Sequence, residues 1–350
     1  MKVLYIHELY PPELVGGGEI YAENLVTELN KRGISVMVLT GTKGKTITET
    51  RNGIKVKRIH FNTRRQFMLK TKEIEKTIEQ FKPDIIHTNA FTACIPAYKA
   101  AKKYKLPVIV NLHFLFQKEY YRYYKPLKAM FFSAMERRIL KKPYDKFIAL
   151  SYEIYLNLCK LGYKDKTVLI EHPINTKIFK PGKKSSKFTI GSQITLGPSK
   201  RIDLFTDLSR EMKDVNFLTV GSITPELKKE FDICGIKYIG RLPHNQMPKF
   251  YNKINVYFGH GMAAKEAMAC GCIAILNEET PRLLNYHKKE LAAGIMLKGD
   301  PVKIINKLMK DKKYYNIISK RSVKFIRDNY DTSIIMPKII NVYNELAKHV

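Results

Sequence analysis

Gly259-His-Gly-Met-Ala-Ala-Lys-Glu-Ala-Met-Ala-Cys-Gly271 stands between two short apolar runs, Ile254-Asn-Val-Tyr-Phe258 and Cys272-Ile-Ala-Ile-Leu276. The order is strand, glycine turn, helix, glycine stop, strand, which is the repeating unit of a parallel sheet. A glycine turn feeding a helix leaves several backbone N–H groups unpaired at the positive end of the helix dipole. Such a terminus suits an anion, above all a phosphate. Glu266 follows about one turn into the helix, an odd place for a carboxylate beside a phosphate unless it grips something neutral, such as a sugar hydroxyl. Phosphate and hydroxyl together describe a nucleotide-sugar site. An ordinary βαβ corner with a solvated Glu fits the same residues.

Working outward, the first half alternates in the same way. Lys2–His7 reads as a strand, Glu19–Arg32 as an amphipathic helix stopped by Gly33, and Ser35–Thr40 and Ile54–His60 as further strands. A helix near 71–81 leads into Asp84-Ile-Ile-His87, another at 95–104 into Pro107–Leu112, and Lys146–Ser151 and Thr167–Ile170 follow. Lys180-Pro-Gly-Lys-Lys-Ser-Ser-Lys187 breaks the alternation with turn formers and charge and is expected to be the interdomain linker. The alternation then restarts at Phe188–Gly191 and runs through Asn216–Val220 and Lys237–Gly240 to the opening stretch. Strands repeatedly separated by helices predict an α/β protein of two doubly wound, Rossmann-like domains facing a central cleft. The expected boundaries are 1–182, 183–330, and a C-terminal helix at 331–350 that packs back on the first domain.

Size and composition limit the remaining choices. The chain has 350 residues, 45% apolar, enough for two real cores. Five cysteines in no scaffold spacing predict free thiols in a reducing cytosol. Nothing in the sequence reads as a signal peptide or as an uncharged span of about 20 apolar residues, so the expectation is a cytoplasmic protein, soluble or peripheral. Sixty-two Lys and Arg against 32 Asp and Glu give a formal net charge of +30. Such a field attracts polyanions: nucleic acid, an anionic membrane surface or phosphorylated substrates.

Three further features converge on the expected cleft. Pro11-Pro-Glu-Leu-Val-Gly-Gly-Gly-Glu19 is a glycine loop between the first strand and the first helix, which lets backbone approach a bulky ligand. It lacks the G-x-G-x-x-G spacing of a dinucleotide site, and the second strand ends in Thr40-Gly-Thr42 rather than an acid, which argues against NAD. Gly191-Ser-Gln-Ile-Thr-Leu-Gly-Pro-Ser-Lys-Arg201 opens the second domain and ends in two adjacent cations that a bound anion would justify. His113 directly follows the strand Pro107–Leu112, and His87 ends another strand in the same way; His87 reads more readily as structural, and His113 as a group able to contact a sugar or polarise a reacting atom.

Assembled in order, these residues resemble the GT-B glycosyltransferases of the large retaining family 4. The marks are Gly16-Gly-Gly-Glu19, Pro83-Asp-Ile-Ile-His87, the strand-end His113, Ile170-Glu-His-Pro through Pro181, Ile239-Gly-Arg-Leu-Pro-His244 and Glu266-Ala-Met-Ala-Cys-Gly271. The resemblance implies a UDP- or GDP-sugar co-substrate held mainly by the second domain, with no cofactor and no metal. It places Lys200 on the diphosphate, Glu266 on the ribose, the backbone around His260, Gly261 and Met262 on the diphosphate and sugar, and Gly240 in the same site. Gly17 and Gly18 would close over the donor, and His113, with Glu266, would serve catalysis near the sugar's reacting end. The family's phosphate-binding arginine falls near Ser192, with Arg201 as its compensation. The first of the family's paired glutamates falls on Phe258, and His260 or Lys265 is then the substitute. The acceptor implied is lipid-linked or a glycan.

Gln117–Lys146 holds nine Lys or Arg, three acids and seven Tyr or Phe. Wound as one helix, Tyr120, Tyr124, Leu127, Phe131 and Ala134 share a face expected to be core, while Tyr121 and Phe132 are expected outside beside cations. That arrangement suits the headgroup layer of an anionic membrane at the inner face of the cell membrane. The rival classes are a basic nucleic-acid- or polyanion-binding protein, which would need a binding motif that is absent here, a UDP-sugar epimerase, and a GT-B binding module without turnover.

Overall fold

The computed structural model describes residues 1–13, 16–89, 91–194, 202–276, 295–296 and 300–348. The chain divides into two compact units, Met1–His172 with Ile335–Val350, and Pro173–Ile334.

The first unit is built on an eight-stranded sheet. Its strands are β1 (Lys2–Ile6), β2 (Ser35–Thr42), β3 (Ile47–Arg51), β4 (Ile54–His60), β5 (Ile85–Asn89), β6 (Val108–Leu112), β7 (Lys146–Ala149) and β8 (Thr167–Leu169), in the spatial order β3-β4-β2-β1-β5-β6-β7-β8. All pair in parallel except β3, which runs antiparallel to β4. The sequence reading missed this hairpin arm, because Ile-Thr-Glu-Thr-Arg carries little apolar signal and lies on the sheet edge. The helices are α1 (Gly17–Lys31), α2 (Thr71–Phe81), α3 (Cys94–Lys103), α4 (Tyr120–Tyr123), α5 (Pro126–Leu140) and α6 (Tyr152–Lys160), with a 3-10 turn at Arg64–Leu69.

Strand β1 explains why the sheet is covered on both faces. Side chains alternate along a strand, so Leu4 and Ile6 enter one core while Val3 and Tyr5 enter the other. A strand buried on both sides reads as a continuous apolar run, as this one does. β1 pairs with β2 on one side and β5 on the other, so the winding direction reverses there. Ligands of open α/β sheets bind at such a switch point, outside the carboxyl ends of the strands.

The second unit repeats the design with β9 (Thr189–Ile194), β10 (Asn216–Gly221), β11 (Ile236–Tyr238), β12 (Val256–Phe258), β13 (Ile273–Leu276) and β14 (Ile295–Met296), all parallel, in the order β11-β10-β9-β12-β13-β14. Its helices are α7 (Ile202–Glu211), α8 (Pro225–Ile233), α9 (Met247–Tyr251), α10 (Met262–Ala269), α11 (Pro301–Lys310) and α12 (Lys312–Tyr330). The last helix, α13 (Thr332–Ala347), turns Ile335, Met336, Ile339, Val342 and Tyr343, one helical face, into the first unit's core. Gly191 in β9 is dictated by packing: a Cβ there would come 2.6 Å from Cγ2 of Ile254 and 3.2 Å from the ring of Phe250.

Two expectations need correction. The boundary lies at His172–Pro173, earlier than 182, and 180–187 is docked on the second unit rather than free. Gly182 N–H donates to Oδ1 of Asn252 (2.8 Å), and Lys184 Nζ donates to the carbonyls of Tyr251 (3.1 Å) and Cys270 (3.0 Å). Cations and turn formers disguised a strap that caps two helix ends. The stretch 117–146 is not one helix either. Lys125 adopts φ −55°, ψ 148°, as a residue before proline prefers, and separates α4 from α5.

Candidate active site

In the second unit the winding reverses between β9 and β12, and the quoted glycine segment leaves β12 at that point. Gly261 holds φ 76° as the N-cap of α10, a left-handed conformation that a side chain would resist. It directs the first N–H groups of α10 outward at the carboxyl edge of the sheet, where an anion is favoured. Met262 begins the helix, and His260 forms the turn before Gly261. Gly240, φ 86°, follows β11, and its carbonyl accepts from Gly221 N–H at 3.1 Å, so it lies at the same edge. Ser192 is a buried residue inside β9 whose carbonyl accepts from the Thr219 hydroxyl at 3.0 Å. Lys200 and Arg201 lie outside the described residues.

Glu266 is 2% exposed and is gripped by its neighbours. Its Oε1 accepts from Nε2 of His244 at 2.6 Å, and its Oε2 accepts from the hydroxyl of Tyr251 at 3.0 Å. The Tyr251 hydroxyl also lies 3.2 Å from Oε1 of Gln193, and Phe179 packs against the rings of both His244 and Tyr251. Burial, and then the adjacent Glu266 carboxylate, hold the Tyr251 phenol far above its ordinary pKa. It is therefore a permanent donor. A buried carboxylate with two fixed donors is preorganised: its position does not depend on a ligand.

Phe258, where the first of the family's paired glutamates falls, and Lys265, an expected substitute for it, are both engaged elsewhere. Phe258 is buried on the face of β12 that packs against Phe205, ring centroids 5.9 Å apart, and belongs to the core. Lys265 is buried with Nζ 3.9 Å from the ring centroid of Tyr330, so its charge is spent on that ring.

In the first unit His7 follows β1 at the switch point, and His113 follows β6. The glycines of the loop open α1: Gly16 is its N-cap, with N–H donated to Oε2 of Glu19 at 2.8 Å, and Gly17 and Gly18 are its first two residues. A Cβ added at Gly18 would touch Nε2 of His7 at 3.8 Å and Cε1 of His113 at 3.9 Å, so Gly18 keeps the space over both rings open. His7 Nδ1 accepts from Leu9 N–H at 3.2 Å, which leaves the proton on Nε2, the nitrogen facing Gly18. His113 stands edge-on to Tyr21 (5.1 Å) and near His172 (5.8 Å). Its Nε2 is sealed from solvent and has no partner among the described residues. Burial, and then the rings of His172, His7 and His87, hold His113 well below the ordinary histidine range, so it is neutral. Among the described residues no three His, Cys, Asp or Glu side chains are grouped so as to hold a metal ion.

His87 is a correction of position. It lies within β5 rather than at its end, fully buried, with Nδ1 2.5 Å from the Tyr343 hydroxyl of α13. Burial lowers its pKa to about 4. Beside the site, Glu8 is buried and bound by the Thr92 hydroxyl (2.6 Å), the Thr92 N–H (3.2 Å) and Arg64. Burial works to raise its carboxyl, but His7, Arg64 and Thr92 outweigh it and leave the pKa below the ordinary value. The sequence reading passed over His7, Glu8, Tyr251 and the partnership of His244 with Glu266. His7 was legible, as the last residue of the strand run beside the glycine loop; Tyr251 carried no signal short of the packed helix.

Comparison with known proteins places this geometry. Residues 15–178 match the model of Glycosyltransferase Family 4. Over the whole chain the structure is similar to sucrose-phosphate synthase from Thermosynechococcus elongatus, with TM-score 0.82 and 16% identity, covering 100% of both chains. It is also similar to Anabaena HepE in complex with UDP-glucose, with TM-score 0.77 and 16% identity, covering 99% of this chain and 100% of that one. A Klebsiella pneumoniae protein described as an uncharacterized 42.6 kDa protein in the cps region is 22% identical over 325 residues, 79% of this chain and 85% of that protein. The chain has the GT-B fold, and its residues 15–178 are similar to Glycosyltransferase Family 4.

Proposed function

We propose that the chain moves a hexosyl unit from a nucleotide-diphosphate sugar to a lipid-linked or polysaccharide acceptor, with retention of anomeric configuration and without a metal. The observation that carries this reading is the buried Glu266 carboxylate, fixed by His244 and Tyr251 beside the amide-rich start of α10. A carboxylate held in place on a helix whose start favours an anion suits a ligand that offers hydroxyls and phosphate together. The UDP-glucose complex of HepE supports a UDP-sugar as donor, with a GDP-sugar as the other candidate.

In this reading the second unit binds the donor and the first binds the acceptor. The N–H groups around His260, Gly261 and Met262, with Lys200 and Arg201, neutralise the departing diphosphate, a case of preorganised electrostatic stabilisation. Ser192 and Gly240 border the same edge. On the resemblance to family 4, Gly17 and Gly18 are further candidates for donor contact, and His113, with Glu266, for catalysis near the reacting carbon. Retention, with front-face attack through an oxocarbenium-like state, rests on the resemblance to family 4. The protein works in the cytoplasm, peripheral to the inner face of the membrane; no helix among the described residues is long and apolar enough to cross one.

Thermal-shift measurement against a panel of UDP- and GDP-sugars tests the assignment. A ligand at a hundredfold its Kd stabilises the native state by about 2.7 kcal/mol, which is readily seen. A panel that moves the melting temperature nowhere would reject the reading.

A further inference from the structure

The face of α5 read from the sequence as core is in the structure its outer face. Leu127 is 79% exposed, Met130 53% and Phe131 41%, whereas Phe132, expected outside, is packed among Phe91, Tyr120, Tyr124 and Phe131. The outer stripe continues through Ala134 to Arg137, Arg138 and Lys141, at the spacing of one helical face. The stripe is therefore apolar in its first half and cationic in its second, along a helix about 22 Å long. Leu69, 78% exposed, stands beside it: Arg65, on the same 3-10 turn, lies 5.0 Å over the ring of Phe131.

The cationic half is an open recess of about 390 Å³ lined by Ala134, Arg137, Arg138, Lys141 and Lys142. Among the described residues none of these four cations has an acid partner. The one acid between residues 126 and 142 is Glu136, turned inward to accept from the N–H groups of Phe116 (3.0 Å) and Gln117 (2.8 Å) and the Tyr120 hydroxyl (3.1 Å). Large exposed apolar side chains on a helix, continued by unpaired cations, match the two layers of an anionic bilayer: acyl boundary and phosphate. Nucleic acid would use the cations and leave Leu69, Leu127 and Met130 without a role. A second copy would set one strongly basic surface against another in a chain of net charge +30.

We propose that the outer face of α5, with Leu69, seats the first unit on anionic lipid: Leu127, Met130, Phe131 and Leu69 enter the acyl boundary, and the recess at Arg137–Lys142 takes lipid phosphates. This deepens the peripheral placement proposed above and rests on it only for the choice of surface.

The chain contains no Trp, so Leu127→Trp supplies the sole indole at the centre of the face. The full chain is mixed with vesicles of phosphatidylglycerol and phosphatidylcholine, or of phosphatidylcholine alone, at physiological ionic strength. The L127W indole should shift to the blue with the mixed vesicles only, and that of Ile233→Trp, exposed on the second unit, should stay unmoved. Replacing Arg137, Arg138 and Lys141 with Gln should lower vesicle partitioning about a hundredfold, near fivefold per cation. Replacing Leu127, Met130 and Phe131 with Gln should cost roughly tenfold per side chain. All are surface changes, and circular dichroism checks the fold.

An unmoved L127W indole in a folded chain overturns the proposal. So does partitioning that survives both triple variants, or an L127W shift that grows with protein concentration before vesicles are added, the sign of self-association. Donor binding by thermal shift on the same preparation separates the two readings. Vesicle docking without nucleotide-sugar binding rejects the function and keeps the surface; the converse rejects the surface alone.

Discussion

Tyr251→Phe isolates the device that holds Glu266. The substitution removes one oxygen and leaves the ring in its place against Phe179 and Phe250. The lost hydroxyl is the donor to a carboxylate that is 2% exposed. A hydrogen bond to a buried charge contributes about 1.5–3 kcal/mol, and here water has little access to replace it. The His244 bond at 2.6 Å remains, so Glu266 is held on one side only. In a unit of this size the melting temperature should fall by roughly 3–12 °C. Glu266→Ala is the companion. If the carboxylate grips the ribose, its loss should weaken the donor about 10- to 150-fold, the equivalent of one or two charge-assisted hydrogen bonds. Tyr251→Phe, which keeps the carboxylate, should weaken it much less. Urea unfolding gives the first number and calorimetric titration with a UDP- or GDP-sugar the second. If Tyr251→Phe matches the wild type within about 0.5 kcal/mol, the variation of an ordinary surface change, the network is not what holds Glu266. Unchanged donor affinity in Glu266→Ala removes that residue from the site.

His87 makes stability depend on pH. Its pKa falls from the ordinary 6.5 in the unfolded chain to about 4 in the fold, so the unfolded state takes up the proton first on acidification. The contribution is complete above about pH 6.5 and disappears toward pH 4, up to about 3 kcal/mol; urea midpoints between pH 7.5 and 5 should slope more steeply in the wild type than in His87→Gln. Gly18→Ala should leave the melting temperature unchanged or slightly higher, since the added methyl meets both rings at ordinary contact distance. It should weaken donor binding, because the methyl fills the space over His7 and His113. Phe258→Glu tests whether the family's missing glutamate can be restored: with Phe258 in the core against Phe205, the carboxylate should destabilise the second unit by at least the ~3–5 kcal/mol of a large core deletion. A soluble Phe258→Glu protein with tighter donor binding would contradict the placement of that side chain.

Much of the architecture was legible because buried parallel strands carry one strong signal, an apolar run that periodicity cannot hide. Lys2–Ile6, Ser35–Thr42 and Val108–Leu112 are such runs, and glycine stops such as Gly33 and Gly271 marked the helix ends. What failed was the reading of surfaces. Alternation along α5 shows which residues share a face but not which way that face turns; the direction is set by Pro126 and by Phe132 inserting among Phe91, Tyr120 and Tyr124. The strap at 180–187 looked like a linker because its contacts are made by the Lys184 side chain and by backbone groups of Lys180 and Gly182, none of which composition distinguishes from solvated charge. At the two candidate sites, motifs marked Glu266 in the second unit and His113 and the glycines in the first, while their neighbours came from other elements: Tyr251 from α9 and His7 from just past β1.

The distribution of unsatisfied polar atoms argues that the carboxyl end of the first sheet is kept for a ligand rather than for stability. Buried side-chain polar atoms in native proteins nearly always have partners, and each exception costs about 1–3 kcal/mol. Among the described residues the exceptions are Nε2 of His113, Nε2 of His87, both side-chain polar atoms of Asn89, Oδ1 of Asn111 and the hydroxyls of Tyr5, Tyr10, Thr40 and Tyr144. Five of these nine atoms stand on or just past β5 and β6, next to the strand where the winding reverses. Apolar side chains of similar size would fit a purely structural core there at lower cost. The second unit shows the opposite treatment at its own switch point, where Glu266 is fully supplied with donors. One end thus holds its polar group rigid before a ligand arrives, and the other leaves hydrogen-bonding capacity unspent. A group fixed before a ligand arrives costs no reorganisation at the moment of binding, which is what the donor role proposed for Glu266 requires of the second unit.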